Sequence, residues 1–154
     1  MQIVYLLTPV DWAVSADYLL PVFRRIRNFL RDVIRLPDYD QVARRQIARA
    51  ILGDPNFAIA FVVDQHGKLL AHAVCEILEI DDKRVLFVSQ CKNDAPGALD
   101  KLIAFGDNWG MTKGASLMRV ETSDQWPEEV GQRVFGKYGF KLCARVMERE
   151  IKHG

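Results

Sequence analysis

Val85-Leu86-Phe87-Val88-Ser89-Gln90-Cys91-Lys92-Asn93-Asp94-Ala95-Pro96-Gly97-Ala98-Leu99 reads as an apolar strand (85–88), a polar loop bearing Gly and Pro, and the start of an amphipathic helix that ends near Lys113-Gly114. A strand that hands its end to a short loop and a helix N-terminus offers backbone N–H groups and the positive end of a helix dipole, a ready site for a phosphate-bearing ligand. The rest of the chain is arranged around this unit. Before it, the runs Phe57–Val63, Leu69–Leu78 and Arg84–Val88 are separated by turns at Asp64–Lys68 and Asp81–Lys83, which predicts a three-stranded antiparallel meander.

Beyond Leu99, the residues Leu102, Ile103, Phe105, Trp109 and Met111 recur at helical spacing and, with Leu99, form the expected buried set of the helix. A strand is expected over Leu117–Glu121, a helix opened by Pro127 and ending at Tyr138-Gly139-Phe140, and a last strand over Leu142–Ile151. At the N-terminus Ile3–Leu7 reads as a strand. Thr8 then stands as a helix cap, with Pro9 at the first helical position and Asp11 in the first turn. Pro21 is expected to interrupt that helix; Val22, Phe23, Ile26, Phe29, Leu30, Val33 and Ile34 restart the period, and Pro37 stops it. Asp40 is expected to cap a shorter helix closed by Gly53. The order β, helices, β-β-β, α, β, α, β predicts an α+β fold, one domain over 1–154, with a single mixed, mostly antiparallel sheet and helices on both faces.

The composition agrees with a globular domain. The 154 residues are 49% hydrophobic and 27% charged, with formal net charge +1. This balance excludes a polycationic or polyanionic binding protein but hides a local excess: residues 21–52 hold eight Arg against three Asp, +5 in that segment. Arg24, Arg27, Arg31 and Arg35 fall on one helix face. They read either as a solvated face whose stems cover apolar surface or as a docking surface for nucleic acid or an acidic neighbour. Cys75, Cys91 and Cys143 have no CxxC or His-pair spacing, so no metal is expected and a reduced, cytoplasmic setting follows. No apolar run approaches the ~20 residues that span a bilayer, and no membrane partner is expected.

Two stretches resemble a family: Trp109-Gly110-Met111-Thr112-Lys113-Gly114-Ala115 and, after a strand, Val134-Phe135-Gly136-Lys137-Tyr138-Gly139-Phe140. They are similar to the second half of the GNAT N-acetyltransferase superfamily, and the element order matches over essentially the whole chain. The resemblance implies an acetyl-CoA loop of pattern Q/R-x-x-G-x-G/A at Asp94–Leu99 and backbone contacts to the pantetheine arm from the preceding strand. Val88, Gln90, Gly97 and Ala98 are then the cofactor-binding candidates. Gly97 matches, but Asp94 replaces the Gln or Arg and would repel a pyrophosphate, by about 1 kcal/mol at 4 Å in water. Pro96 removes an N–H donor, and Leu99 stands where a small residue lets the backbone approach the ligand.

The resemblance also implies a Tyr that protonates the leaving thiolate, and Phe135 stands at that position; Tyr138 is a substitute to consider. Glu76, Glu79, Glu121 and His72 are general-base candidates by type, each with a structural reading beside it; His66 and His153 have no evident partner. No residue is singled out as catalytic. The primary expectation is a GNAT-fold protein with a degraded acetyl-CoA loop that binds no cofactor. It would be a non-catalytic structural or binding component of an assembly with other proteins, by similarity to GNAT-like proteins of tailed bacteriophages an internal or assembly protein of a virion. The alternative is an acyl-CoA-dependent N-acetyltransferase with a divergent loop, which would bind acetyl-CoA and acylate an amine.

Overall fold

The computed structural model describes residues 1–120 and 128–140, in two compact units, Met1–Glu121 and Thr122–Gly154. In the first, five strands lie in the order β1 (Ile3–Leu6), β2 (Phe57–Val63), β3 (Leu69–Ile80), β4 (Lys83–Asn93) and β5 (Leu117–Val120). The first three pairings are antiparallel and β4–β5 is parallel. The parallel pair follows from the intervening helix α3 (Ala98–Thr112), since a parallel return needs a crossover connection.

Side chains alternate across the sheet into two cores. Ile59, Phe61, Val63 and Val74 pack with Val22, Ile26 and Leu30 of α1 (Trp12–Phe29) and its π-helical extension Leu30–Ile34, and with Ala43 and Ala50 of α2 (Tyr39–Ile51). On the opposite face Ala60, Val62, Ala71, Ala73, Cys75, Leu86 and Val88 pack with Ala98 and Leu102 of α3. The expected α+β fold with helices on both faces of a mixed sheet is therefore present. The expected meander is present, and β2 is buried along its whole length, which is what the unbroken apolar run Phe57–Val63 requires. In the second unit α4 (Glu128–Gly136) begins immediately after Pro127, as expected. The expected strand over 142–151 lies outside the described residues.

Several boundaries differ from expectation. Thr8 caps no helix: its Oγ1 accepts from Val10 N–H in a turn, and its backbone N–H and C=O are both taken by Ser15 Oγ (2.9 and 2.8 Å), so α1 starts at Trp12. Pro21 does not interrupt α1. It sits on the exposed face, where a carbonyl that loses its helical donor can turn to water. The helix ends before Pro37, through the π turn and Arg35 in the left-handed region (φ 60°), with Leu36 N–H reaching back to Leu30 O (3.0 Å). Asp38, not Asp40, occupies the cap position of α2, while Asp40 pairs one turn on with Arg44 (2.7 Å). Met111, expected in the core, is 72% exposed: α3 turns Gly106 and Gly110 to the sheet instead. A Cβ on Gly110 would come within 3.1 Å of Leu86 Cδ1, so these glycines let the helix lie close.

The largest correction concerns β4. The strand runs to Asn93 rather than ending at Val88, and the loop shrinks to Asp94–Gly97. The long β3 continues the ladder from Val74↔Gln90 to Ala71↔Asn93, with Ser89 accommodated by a bulge opposite Val74/Cys75.

Candidate functional site

The bulge divides β4 into two parts with different neighbours. Up to Val88 the strand is paired on both sides, with β3 and, in the register Val85↔Leu117 to Val88↔Val120, with β5. From Ser89 to Asn93 it pairs with β3 alone among the described residues. Among the described residues the backbone groups on its other edge have no strand partner and lead toward the start of α3, an arrangement that suits an extended, amide-bearing ligand added as a strand neighbour.

The strand continues into Asp94-Ala95-Pro96-Gly97. Asp94 N–H donates to Leu70 O (3.0 Å), Ala95 N–H to Asn93 Oδ1 (3.2 Å) and Ala98 N–H to Ala95 O (3.3 Å), so the loop is internally braced. Pro96 has no N–H, but its carbonyl accepts from Gln2 Nε2 (2.9 Å), tying the loop to the chain's beginning. Gly97 caps α3 with φ +81°, a conformation that a Cβ strains, and is exposed at the positive end of the helix dipole.

The cofactor-binding candidates fall into two groups. Gly97 and the buried Ala98 stand at the helix start. Val88 and Gln90 flank the bulge with side chains turned inside: Val88 is in the α3-side core and Gln90 is 3% exposed on the other face. Only their backbone is on offer. Leu99, expected to obstruct the ligand, is buried at 8% exposure and does not project from the loop.

Gln90 belongs to a buried polar chain. Its Nε2 donates to Gln46 Oε1 of α2 (2.8 Å), and its Oε1 faces His72 Nε2 (3.4 Å). Arg25 Nε donates to His72 Nδ1 (3.0 Å), which assigns the ring proton to Nε2 and makes that nitrogen the donor to Gln90. Phe29 meets the imidazole edge-on at 5.8 Å. Burial, followed by the charge of Arg25, lowers the His72 pKa to about 3. His72 is therefore a structural histidine with both nitrogens occupied, and no base for a substrate.

A pH dependence follows with a definite sign. The unfolded chain takes up a proton at His72 near pH 6.5 and the folded chain only near pH 3, so the stability attached to the neutral ring is complete above 6.5 and is lost as pH falls. Urea unfolding of the wild type and of His72→Gln, which can keep both hydrogen bonds, is expected to diverge below pH 6.5, the wild type losing about 1.4 kcal/mol more per pH unit. Equal slopes would contradict the buried neutral state.

The other titratable candidates are engaged elsewhere. Glu76 pairs with Arg49 (3.1 Å), which also holds Asp54 (2.7 Å) and lies over Phe57, 4.4 Å from the ring centroid. Glu79 pairs with Arg84 (3.3 Å). His66 lies in the Asp64–Lys68 turn beside Gln65. Burial pushes the Cys75 thiol up to about 12 and that of Cys91 up to about 11, so neither is a thiolate at neutral pH. Glu121, Cys143 and His153 lie outside the described residues. In the second unit Phe135 packs edge-on against Phe140 (5.6 Å), and Tyr138 N–H donates to Phe135 O.

On the Arg-bearing helix, Arg24, Arg31 and Arg35 are exposed and Arg27 is half-buried. Arg31 forks onto its neighbour Asp32 (2.7 and 3.0 Å), and Arg27 lies over Phe23, 5.7 Å from the ring centroid.

The sequence reading missed Arg25. Its guanidinium, 14% exposed, bonds Leu70 O (3.1 Å) and Lys92 O (3.4 Å) as well as His72, and forms an ion pair with Asp94 Oδ2 at 2.7 Å. A signal was present: Arg25 lies three residues after Val22 and four before Phe29, on the apolar stripe rather than with Arg24 and Arg27, and a charge in that phase needs a buried partner.

No family model matches the chain, and no curated protein matches it. Solved structures do. AAC(6')-Iy in complex with a bisubstrate analogue, CoA-S-monomethyl-acetylneamine, superimposes with TM-score 0.73 at 19% identity, covering 99% of each chain. A possible acetyltransferase from Clostridium difficile 630 gives 0.71 at 12% identity, again over 99% of each. An aminoglycoside acetyltransferase from an uncultured soil metagenomic sample gives 0.66 at 14%, with the same coverage. At these identities the likeness establishes the fold, which is that of the GNAT acetyltransferases. Among the described residues no helix is long and apolar enough to cross a membrane.

Proposed function

We propose that this chain binds a CoA thioester along the open edge of β4 and transfers its acyl group to an amine. The observation that carries this reading is that β4 runs on past the bulge to Asn93, pairing there with β3 alone among the described residues, and delivers the chain, through Gly97, to the N-terminus of α3. Two of the three sequence features that oppose a ligand weigh less in the fold: Asp94 is ion-paired with Arg25, and Leu99 is buried. Pro96 remains, at the cost of one donor. The residues present fit the ligand mainly through backbone: the strand edge for the pantetheine amides, and Gly97 with the α3 dipole for the phosphates.

The thioester supplies an activated carbonyl and a good leaving group. A thiol of pKa about 8.5 departs as thiolate without obligatory protonation, so Phe135 in place of a tyrosine lowers catalytic power without forbidding transfer. The chain's own contribution in this reading is to orient the carbonyl beside the bulge. Among the described base candidates Glu76, Glu79 and His72 are engaged, so none of these three takes the proton of the attacking amine.

A non-catalytic binding component on the same fold is the second reading, favoured by Phe135 and Pro96. None of the three similar structures is described as a virion protein. Titration with acetyl-CoA tests the choice. Saturating ligand, about a hundred times its Kd, is expected to stabilise the protein by about 2.7 kcal/mol, read as a rise in melting temperature. No shift at millimolar acetyl-CoA ends the acyltransferase reading; binding without thiol release in the presence of polyamines or aminoglycosides favours the non-catalytic one.

A further inference from the structure

Arg25 is the point at which α1, the start of β3, the end of β4 and the candidate phosphate loop meet. One guanidinium serves Leu70 O on β3, Lys92 O on β4, His72 Nδ1 and the Asp94 carboxylate, and is itself mostly buried. Asp94 is 49% exposed and is the only acidic residue of the 94–97 loop. An uncompensated carboxylate three residues before Gly97 would act against an anion drawn to the α3 N-terminus. The 2.7 Å contact is an ion pair with a guanidinium already fixed by three other acceptors, so the cation stands beside the carboxylate with little entropy left to lose.

We infer that Arg25 is a positioning and charge-compensating residue for an anionic ligand at this loop: it fixes Asp94 and cancels its charge, so a ligand phosphate meets the dipole of α3 rather than a carboxylate. The inference rests on the CoA-thioester reading above and adds to it a residue on a distant helix that touches no ligand. It distinguishes two roles of one contact. A purely structural clamp depends on the Arg25–Asp94 bond being made; compensation depends on the sum of the two charges.

The test is calorimetric titration of acetyl-CoA into the full chain as wild type, Arg25→Met, Asp94→Asn and the double variant, at low and high salt. Compensation predicts binding about tenfold or more weaker in Arg25→Met, because the carboxylate is released beside the phosphates. Asp94→Asn, which keeps an acceptor for Arg25 and leaves its charge, is expected to bind within about threefold of wild type or tighter, with a steeper salt dependence. The double variant is expected to recover most of the affinity lost in Arg25→Met.

Failure of that recovery, or a tenfold loss in Asp94→Asn alone, overturns compensation while leaving the acyl-CoA reading in place. Absence of binding by the wild type overturns both. Should Arg25→Met not fold, as judged by circular dichroism, Asp94→Asn decides by its affinity and salt slope: a flat or unchanged slope counts against the inference.

Discussion

Phe61→Ala is expected to cost about 3–5 kcal/mol of stability, the largest effect of any single truncation in the sheet. Phe61 is fully buried and its ring centroid lies 5.1 Å from that of Tyr18 on α1 and 5.9 Å from that of Tyr5 on β1, its direct strand partner. On its other side it pairs with His72, so the cavity would open beside the polar chain of His72, Gln90 and Gln46. Both tyrosines are anchored by neighbours, Tyr18 through its hydroxyl to Gly67 O (3.0 Å), which limits their collapse into the void. Against a total stability of about 5–15 kcal/mol for a domain, such a loss brings the protein near its unfolding threshold. Urea unfolding checks it: the midpoint should fall with m unchanged, and Phe61→Leu should recover half or more of the difference. A loss below about 1 kcal/mol would mean that the α1 face repacks freely.

The second large effect is on binding. Gly97→Val is expected to abolish acetyl-CoA binding while costing only about 1–2 kcal/mol of stability, the penalty of a left-handed conformation for a residue with a side chain. At φ +81° a Cβ itself would meet only the Gln2 side chain, at 3.7 and 3.8 Å, so sterics inside the protein are mild. The strain is instead relieved by moving the backbone at the α3 N-terminus, where the phosphates are proposed to sit. Loss of the thermal shift with a retained native spectrum supports the site. A variant that binds acetyl-CoA as wild type does would place the ligand elsewhere and end the Gly97 assignment.

Among the described residues the sequence by itself determined the order and type of the strands and most of the helices. The apolar runs of β2 and β3, the helical stripe of α1 and the Gly- and Pro-marked turns are local patterns, with periods of two and 3.6 residues that the backbone imposes wherever they occur. The resemblance of 109–115 and 134–140 pointed to the GNAT fold that the superpositions establish. Boundaries were less legible where side chains serve distant partners. Ser89, Gln90, Lys92 and Asn93 look like a loop, yet they extend β4, because β3 supplies a ladder to pair with and Gln46 and His72 satisfy the Gln90 amide.

Only the tertiary structure decided what surrounds the loop. In sequence Asp94 and Leu99 oppose an anionic ligand. In the fold the first is matched by Arg25, brought from an early helix to 2.7 Å, and the second is turned into the core. The sign of a charge's effect depends on which other charges stand within a few ångströms, and which way a side chain points depends on the packing of the helix that carries it. Neither is encoded in local spacing, so a carboxylate that reads as unpaired in the sequence stands beside a cation in the fold, and a leucine that reads as an obstruction lies in the core.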